Sequence, residues 1–234
     1  MKIFKSWLVA IIVTGSLSGG VVELASTDDL EQPEMIFIPA GDFLMGSPEG
    51  EGRPDEYPRH KVYLDAFFID RFEVAGKDFE KYLFANPKQH QTITGWWGRQ
   101  IRPDMEYRPV FGLSWKRCKN FCEWRGKRLV TEAEWERAAA GLEGRKFPWG
   151  NDPPDQERAN FNRCCFIMKG LSTDAVGKYK SGATPDGIHD LAGNIAEWVH
   201  DWYDKNYYKH SEYDNPKGPA YGINHTIRGG AWNS

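Results

Sequence analysis

The segment Gly126-Lys-Arg-Leu-Val-Thr-Glu-Ala-Glu-Trp-Glu-Arg-Ala-Ala-Ala-Gly141 holds a complete helix signature. Thr131, followed three residues later by Glu134, is a capping box: the Thr131 hydroxyl accepts the Glu134 amide N–H while the Glu134 carboxylate reaches back. The helix that opens there runs through Ala140, and Gly141 stops it. Just upstream, Trp115–Trp124 reads as a second helix with Gly126 as its stop. Further back, Lys77–Leu83 reads as a short amphipathic helix with Phe79, Tyr82 and Leu83 on one face. Towards the N-terminus, Met35-Ile-Phe-Ile38 reads as a strand entering a turn, with Phe43–Gly46 as its hairpin partner. Ser47–Arg59 is a charged Pro/Gly loop. His60–Asp70 alternates as a strand, Val62 and Leu64 on one phase, Phe67 and Ile69 on a shifted one. After Leu142 only short strand-like runs remain among Gly, Pro, Asn and Asp. The class is α+β with much irregular structure.

Composition narrows the function. Lys plus Arg is 30 and Asp plus Glu is 33, a formal charge of −3 over 234 residues. That balance argues against a basic nucleic-acid binder. Hydrophobic residues at 40% and ten Trp provide for a sizeable core and exclude a disordered chain. Gly (24) and Pro (14) point to many turns, without the fixed period of collagen.

Residues 1–20 read as a secretory signal peptide: Lys2 and Lys5, an apolar Trp7–Val13, then small residues ending in Gly19-Gly20. The rival reading is an uncleaved anchor, because Ser6–Val22 has no charge, but its length and its Ser and Gly content put it at the lower edge of a span. Export with cleavage is favoured, with no stable membrane span afterwards and a periplasmic or extracellular destination. Residues 21–34 are an acidic, disordered lead-in. The remainder, 35–234, reads as one domain.

In chain order, Met35-IFIPAGDFLMGS47, His60-KVYLDAFFIDRFEV74, Val110-FGLSWKRCKNFCEWRGKRLVTEAEWERAAAG141, Phe147-PWGN151, Gly187-IHDLAGNIAEWVHDWY203 and Arg228-GGAW232 resemble the formylglycine-generating enzyme family, or sulfatase-modifying factors. The resemblance covers nearly all of the chain after the leader. It implies a C-type-lectin-like fold, α+β with little regular structure. Family members continue past the last motif, so it also implies a missing C-terminal part. It implies an activity too: oxidation of a cysteine in a sulfatase peptide to formylglycine, with oxygen and a copper ion held by two cysteines after the RGG motif. Ser234 stands where the first of these would be, and a hydroxyl lacks the softness that cuprous ion requires. Copper is therefore not expected here. Two function classes follow. One is an exported maturation protein acting on a sulfatase or another exported partner. The other is a non-catalytic lectin-like relative that binds a peptide, sugar or protein.

The resemblance further implies structural calcium, a hard ion that takes carboxylate and carbonyl oxygens. Asp190, Gly193, Ile195 and Glu197 match one site, the first and last through side chains and the other two through carbonyls. Asn160, Phe161 and Tyr179 match a second, weaker site, in which Gly177 replaces a carboxylate. Without the resemblance, Asp190 and Asn194 read as turn formers. Cys118 and Cys122 lie four apart on one helix face and Cys164 and Cys165 are adjacent, which is not the usual spacing of a zinc site. Structural roles are expected for all four. The six histidines (His60, His90, His189, His200, His210, His225) form no ligand motif, and His200 reads as a surface residue. Neither a nucleophile elbow nor a phosphate loop is present. Asp201, Trp202, Tyr203, Tyr207 and Tyr208 form an aromatic-acidic cluster, read mostly as packing.

Overall fold

The computed structural model describes residues 35–89, 96–97, 100–163 and 173–234. The expected signal peptide and lead-in, together with His90, Cys164 and Cys165, lie outside the described residues.

Four strands open the domain: β1 (Met35–Ile38), β2 (Gly41–Met45), β3 (His60–Leu64) and β4 (Phe67–Asp70). The expected β1–β2 hairpin does not form. Instead β1 pairs antiparallel with β4 (Ile38 opposite Phe67) and β2 with β3 (Gly41 opposite Leu64). The two pairs share one register, so they make one long hairpin interrupted at Pro39-Ala40 and Asp65-Ala66. The reason lies in Pro39. A tight two-residue turn needs positive φ at its first central residue, and the proline ring holds φ near −65°. The interruption also shifts the phase on both arms together. Ile36 and Ile38 are buried on one side of it, Phe43 and Met45 on the other, facing Val62, Leu64, Phe67 and Ile69.

Three helices follow, with a short pair of strands between the first two. Helix α1 (Gly76–Ala85) buries Phe79, Tyr82 and Leu83, the face expected from their spacing. Its first residue must be glycine, because a Cβ on Gly76 would stand 2.5 Å from the Met105 carbonyl oxygen. Strands β5 (Trp96–Trp97) and β6 (Gln100–Ile101) pair antiparallel. Helix α2 (Trp115–Trp124) has the expected bounds and packs Phe121 against Phe79 and Tyr82, ring centroids 5.3 and 5.7 Å apart. Helix α3 (Glu132–Ala140) carries the capping box in full. The Glu134 N–H donates to the Thr131 hydroxyl (3.2 Å) and the Thr131 N–H to the Glu134 carboxylate (2.8 Å).

The C-terminal half is mostly turns, with β7 (Glu197–Trp202) and β8 (His225–Arg228) pairing antiparallel across a register shift. The main core joins the long hairpin to Ala133, Trp135, Ala138 and Ala139 of α3, and to Ile188, Leu191 and Val199. A smaller core joins α1 to α2 through Phe79, Tyr82, Leu83, Val110 and Phe121. The mixture of helices and strands is the expected α+β class. In the aromatic-acidic cluster, Asp201, Tyr207 and Tyr208 are buried as packing residues while Tyr203 is exposed, and His200 lies on the surface.

Candidate functional site

The loop 187–196 doubles back tightly, with left-handed backbone at Asp190 (φ 60°), Gly193 (86°) and Asn194 (58°). Asn and Asp tolerate this conformation better than other residues with a side chain. Gly193 has a further constraint, since a Cβ there would lie 2.5 Å from the Asn160 carbonyl oxygen. The turn places the Asn194 side chain, 1% exposed, at the centre of a polar hub. Its Nδ2 donates to the Glu73 carboxylate (2.6 Å), and its Oδ1 accepts from Asn160 Nδ2 (3.0 Å) and from the Asp174 N–H (2.9 Å). Its backbone N–H donates to the Asn160 carbonyl (2.8 Å), and its own carbonyl accepts the Trp232 N–H (3.0 Å). Glu73 also accepts the Ile195 N–H (3.1 Å). Nothing in the sequence singles out Glu73 or Asp174 as members of this hub, because each meets it only through the fold.

Three carboxyl groups cluster around this hub. Burial pushes Glu73 well above the usual carboxylate range, and the charges of Asp190 and Glu197 push it further. Burial raises Asp190 to about 6 against the Gly177 N–H that holds its Oδ2 (2.6 Å). Burial likewise raises Glu197 to about 7 against the Trp135 indole N–H at its Oε2 (2.6 Å), with the Asp190 charge adding to it. The first expected calcium set is thus brought together on one loop and the start of β7. Its carboxyl groups are buried beside the Asn194 hub, which Asp174 joins together with its partners Arg163 and Lys178. Among the described residues, no three His, Cys, Asp or Glu side chains converge closely enough to hold an ion. A calcium ion here would therefore rely on carbonyls, such as those of Gly193 and Ile195, for much of its shell.

The second expected set is placed beside the first. Asn160 is fully buried in the hub, the Phe161 carbonyl accepts from Gln156 Nε2 (3.3 Å), and the Tyr179 carbonyl accepts the Gly182 N–H (3.0 Å). The Tyr179 hydroxyl donates to Asp174 (2.5 Å), which also pairs with Arg163 and Lys178 at 2.9 Å each. Two cations thus lie beside this set.

The turn 229–234 packs directly on the hub. The Gly229 carbonyl accepts the Gly193 N–H (2.8 Å), the Trp232 carbonyl accepts the Arg163 N–H (2.6 Å), and the Ser234 carbonyl accepts the Asn162 N–H (3.0 Å). The Ser234 hydroxyl accepts the Ala231 N–H at 2.8 Å and so closes the turn on itself. Trp232 stands edge-on to Phe111, with centroids 5.6 Å apart, and both border a cavity of about 850 Å³. Phe67, Trp198, Glu73 and Glu197 also line it. Apolar walls with a few convergent polar groups are the usual makeup of a ligand site.

This fold and this arrangement of motifs define the sulfatase-modifying factors, and the chain belongs to that family: residues 21–234 match the sulfatase-modifying factor enzyme 1-like domain. Among curated relatives it is 32% identical to the serine/threonine-protein kinase Pkn1 of Chlamydia caviae, over 99% of this chain and 38% of that protein. It is 32% identical to the formylglycine-generating enzyme of Mus musculus, over 85% of this chain and 66% of that one. It is 31% identical to the inactive C-alpha-formylglycine-generating enzyme 2 of Mus musculus, over 85% and 77% respectively. The chain thus spans about two fifths of the kinase and just under two thirds of the formylglycine-generating enzyme. Among solved structures, PvdO from Pseudomonas aeruginosa superposes with a TM-score of 0.69 at 28% identity, covering 86% of this chain and 82% of that one. No helix of the described residues is long and apolar enough to cross a membrane.

Proposed function

We propose that this chain is an exported member of the family that serves protein maturation as a binding module and not as a copper oxidase. The observation that carries this reading is Ser234. By the family resemblance it stands where the first copper-binding cysteine would be, and its hydroxyl is engaged as the acceptor of the Ala231 N–H. A serine hydroxyl is neutral near pH 7 and hard, so it replaces neither the charge nor the softness of a thiolate. The similarity to a relative named inactive supports the same reading. The cavity bordered by Trp198 and Trp232 is the surface we assign to a peptide of an exported partner, a sulfatase being the first candidate. The kinase activity named for Pkn1 is not carried over, since the shared region is a minor part of that protein.

The test incubates the purified chain with copper, oxygen and a Cys-x-Pro-x-Arg peptide, following oxygen uptake and peptide mass. We expect no oxygen uptake and no 18 Da loss from the peptide, together with saturable peptide binding that Trp198→Ala weakens at least fivefold. Conversion of cysteine to formylglycine would overturn the proposal and restore the oxidase reading, which the 32% identity to the mouse formylglycine-generating enzyme favours.

Calcium belongs to the same proposal as a structural ion. Asp190 and Glu197 supply carboxylate oxygens and Gly193 and Ile195 carbonyls at the first site, with Asn160, Phe161 and Tyr179 as the weaker second. When bound, the ion supplies positive charge to a negative cluster and no redox chemistry.

A further inference from the structure

We infer that Arg59, Arg137 and Arg145 form a binding site for a tetrahedral oxyanion of the phosphate and sulfate class. It lies at the seam between the charged loop that ends at Arg59 and the turn that leaves α3. None of the three arginines lines the cavity.

The turn collects the cations. The Gly141 N–H donates to the Arg137 carbonyl (3.0 Å) and the Arg145 N–H to the Ala140 carbonyl (2.8 Å), so the chain folds back over the end of α3. Gly141 and Gly144 both take left-handed backbone, at φ 69°. The Arg145 guanidinium lies against Gly141 and the Arg59 guanidinium against Gly144, each where a Cβ would stand. Two residues three apart in a tight turn stand within about 7 Å, which brings the guanidiniums resting on them within reach of one ion. Arg137 is close enough to Arg145 for their charges to repel. Lys146 ties the same turn to the charged loop through Glu51 (2.7 Å).

One of the three arginines has a structural use. Arg145 donates to the Ala139 carbonyl (3.3 Å) and to Glu143 (2.9 Å), and a cation is favourable at a helix C-terminus. Arg59 and Arg137 have no such use: among the described residues neither makes a hydrogen bond or a salt bridge. The Nε atoms of all three are buried without an acceptor, and Arg137 is only 5% exposed. Burial pulls the Arg137 guanidinium below its ordinary range, which the charges of Asp186 and Glu143 oppose and that of Arg145 reinforces. A buried cation without an acceptor is costly, and a bound anion removes that cost.

The donor set selects the ligand. A guanidinium only donates, through a planar fork that matches two oxygens of one anion. Three forks around one turn offer donors from several directions, which suits a tetrahedral ion better than a planar carboxylate. The site opens past Glu143, whose side chain is 72% exposed, while that of Arg145 is 12% exposed.

The test titrates the purified full chain by calorimetry with inorganic phosphate, inorganic sulfate and O-phosphoserine, chloride keeping the ionic strength equal. We expect one equivalent bound, at least tenfold more weakly in Arg59→Gln and in Arg137→Gln. Gly144→Ala, which sets a methyl against the Arg59 guanidinium, should weaken binding alike. Lys61→Gln, an exposed cation two residues from Arg59, should change it less than twofold. Asp186→Asn should tighten it at least threefold, because a competing negative charge is gone. Arg59 lies outside both cores, so Arg59→Gln decides the matter even if Arg137→Gln fails to fold. Equal affinity for phosphate and O-phosphoserine supports a site for the free ion, and tenfold tighter binding of the ester supports one for a group carried on a larger molecule. The inference is overturned if none of the three anions binds above the chloride control, or if Lys61→Gln weakens binding as much as Arg59→Gln. It is overturned equally if Asp186→Asn weakens binding, which would make Arg137 a structural partner of Asp186.

Discussion

Asn194 holds the centre of the molecule by having every hydrogen-bonding group of its amide occupied. It accepts two N–H groups and donates to Glu73 and to the Asp174 carbonyl (3.3 Å). Truncation strands buried partners on three other segments, and each buried polar group left unmet costs about 1–3 kcal/mol. We expect Asn194→Ala to lose about 3–5 kcal/mol in denaturant melts, where an exposed asparagine such as Asn224 loses under about 0.5 kcal/mol. Asp201 sets a pH dependence at the same scale. Burial raises it to about 7 against the Glu132 N–H it accepts (2.9 Å), with the Glu132 and Glu134 charges adding. Its folded pKa thus exceeds the unfolded value, so the native state binds the extra proton. Stability contributed by this group is present at low pH and is lost as pH rises from about 4 to about 7. A shift of about three units corresponds to about 4 kcal/mol at most. Melting curves from pH 4.5 to 7.5 should show the parent chain losing stability relative to Asp201→Asn, which keeps the acceptor and has nothing to ionise. Parallel pH profiles for the two chains would remove this assignment.

Among the elements, α3 is secured at its start. Thr131→Ala removes the hydroxyl that meets the Glu134 N–H and should cost about 1 kcal/mol. The loss stays moderate because Glu134 keeps its paired contacts to Arg128, at 2.6 and 2.7 Å. The loop 187–196 makes the opposite case, an element whose charges oppose its own fold. Asp190 and Glu197 are both raised by burial, so in chelated protein their ionisation destabilises the native state between about pH 4 and 7. Calcium bound only by the native state reverses this and stabilises by mass action. Adding millimolar calcium to chelated protein at pH 7.5 should raise Tm by several degrees, and Glu197→Gln, which can still accept the Trp135 N–H, should abolish the response. An unchanged Tm in the parent chain would sink the calcium assignment.

Across the whole molecule, Arg228 is a junction between segments far apart in the chain. Arg228 at the end of β8 pairs with Glu132 of α3, donates to the Tyr208 hydroxyl (2.6 Å), and lies 3.7 Å from Glu136 and 4.0 Å from Glu56. Glu136 in turn accepts the Gly46 N–H at the tip of β2 (2.6 Å). Burial raises both glutamates, and the Arg228 charge acts against that rise. Removing the cation leaves buried carboxylates uncompensated, a loss of about 3–5 kcal/mol. Arg228→Met should therefore destabilise the chain by that amount. In hydrogen exchange, protection should fall together in β2, α3 and β8, whereas loss in β8 alone would show that the network does not couple them.

The sequence by itself determined what local physics controls. The bounds of α2, the capped start and glycine stop of α3 and the buried face of α1 all follow from hydrogen bonds and periodicities that act within a few residues. The family followed from motif order. Asp190, Gly193, Ile195 and Glu197 share one short loop, so their proximity was also legible. Pro39 carried the signal against a β1–β2 hairpin, yet the choice of β4 as partner needed strand register across some thirty residues. Only the tertiary structure decided that Glu73 and Asp174 join Asn160 and Asn194 in one hub, that Arg228 meets three glutamates, and that Cys118 and Cys122 face a cavity. Glu73 and Asn194 lie 121 residues apart. A carboxylate's role depends on the burial and charges around it, and long-range packing sets both.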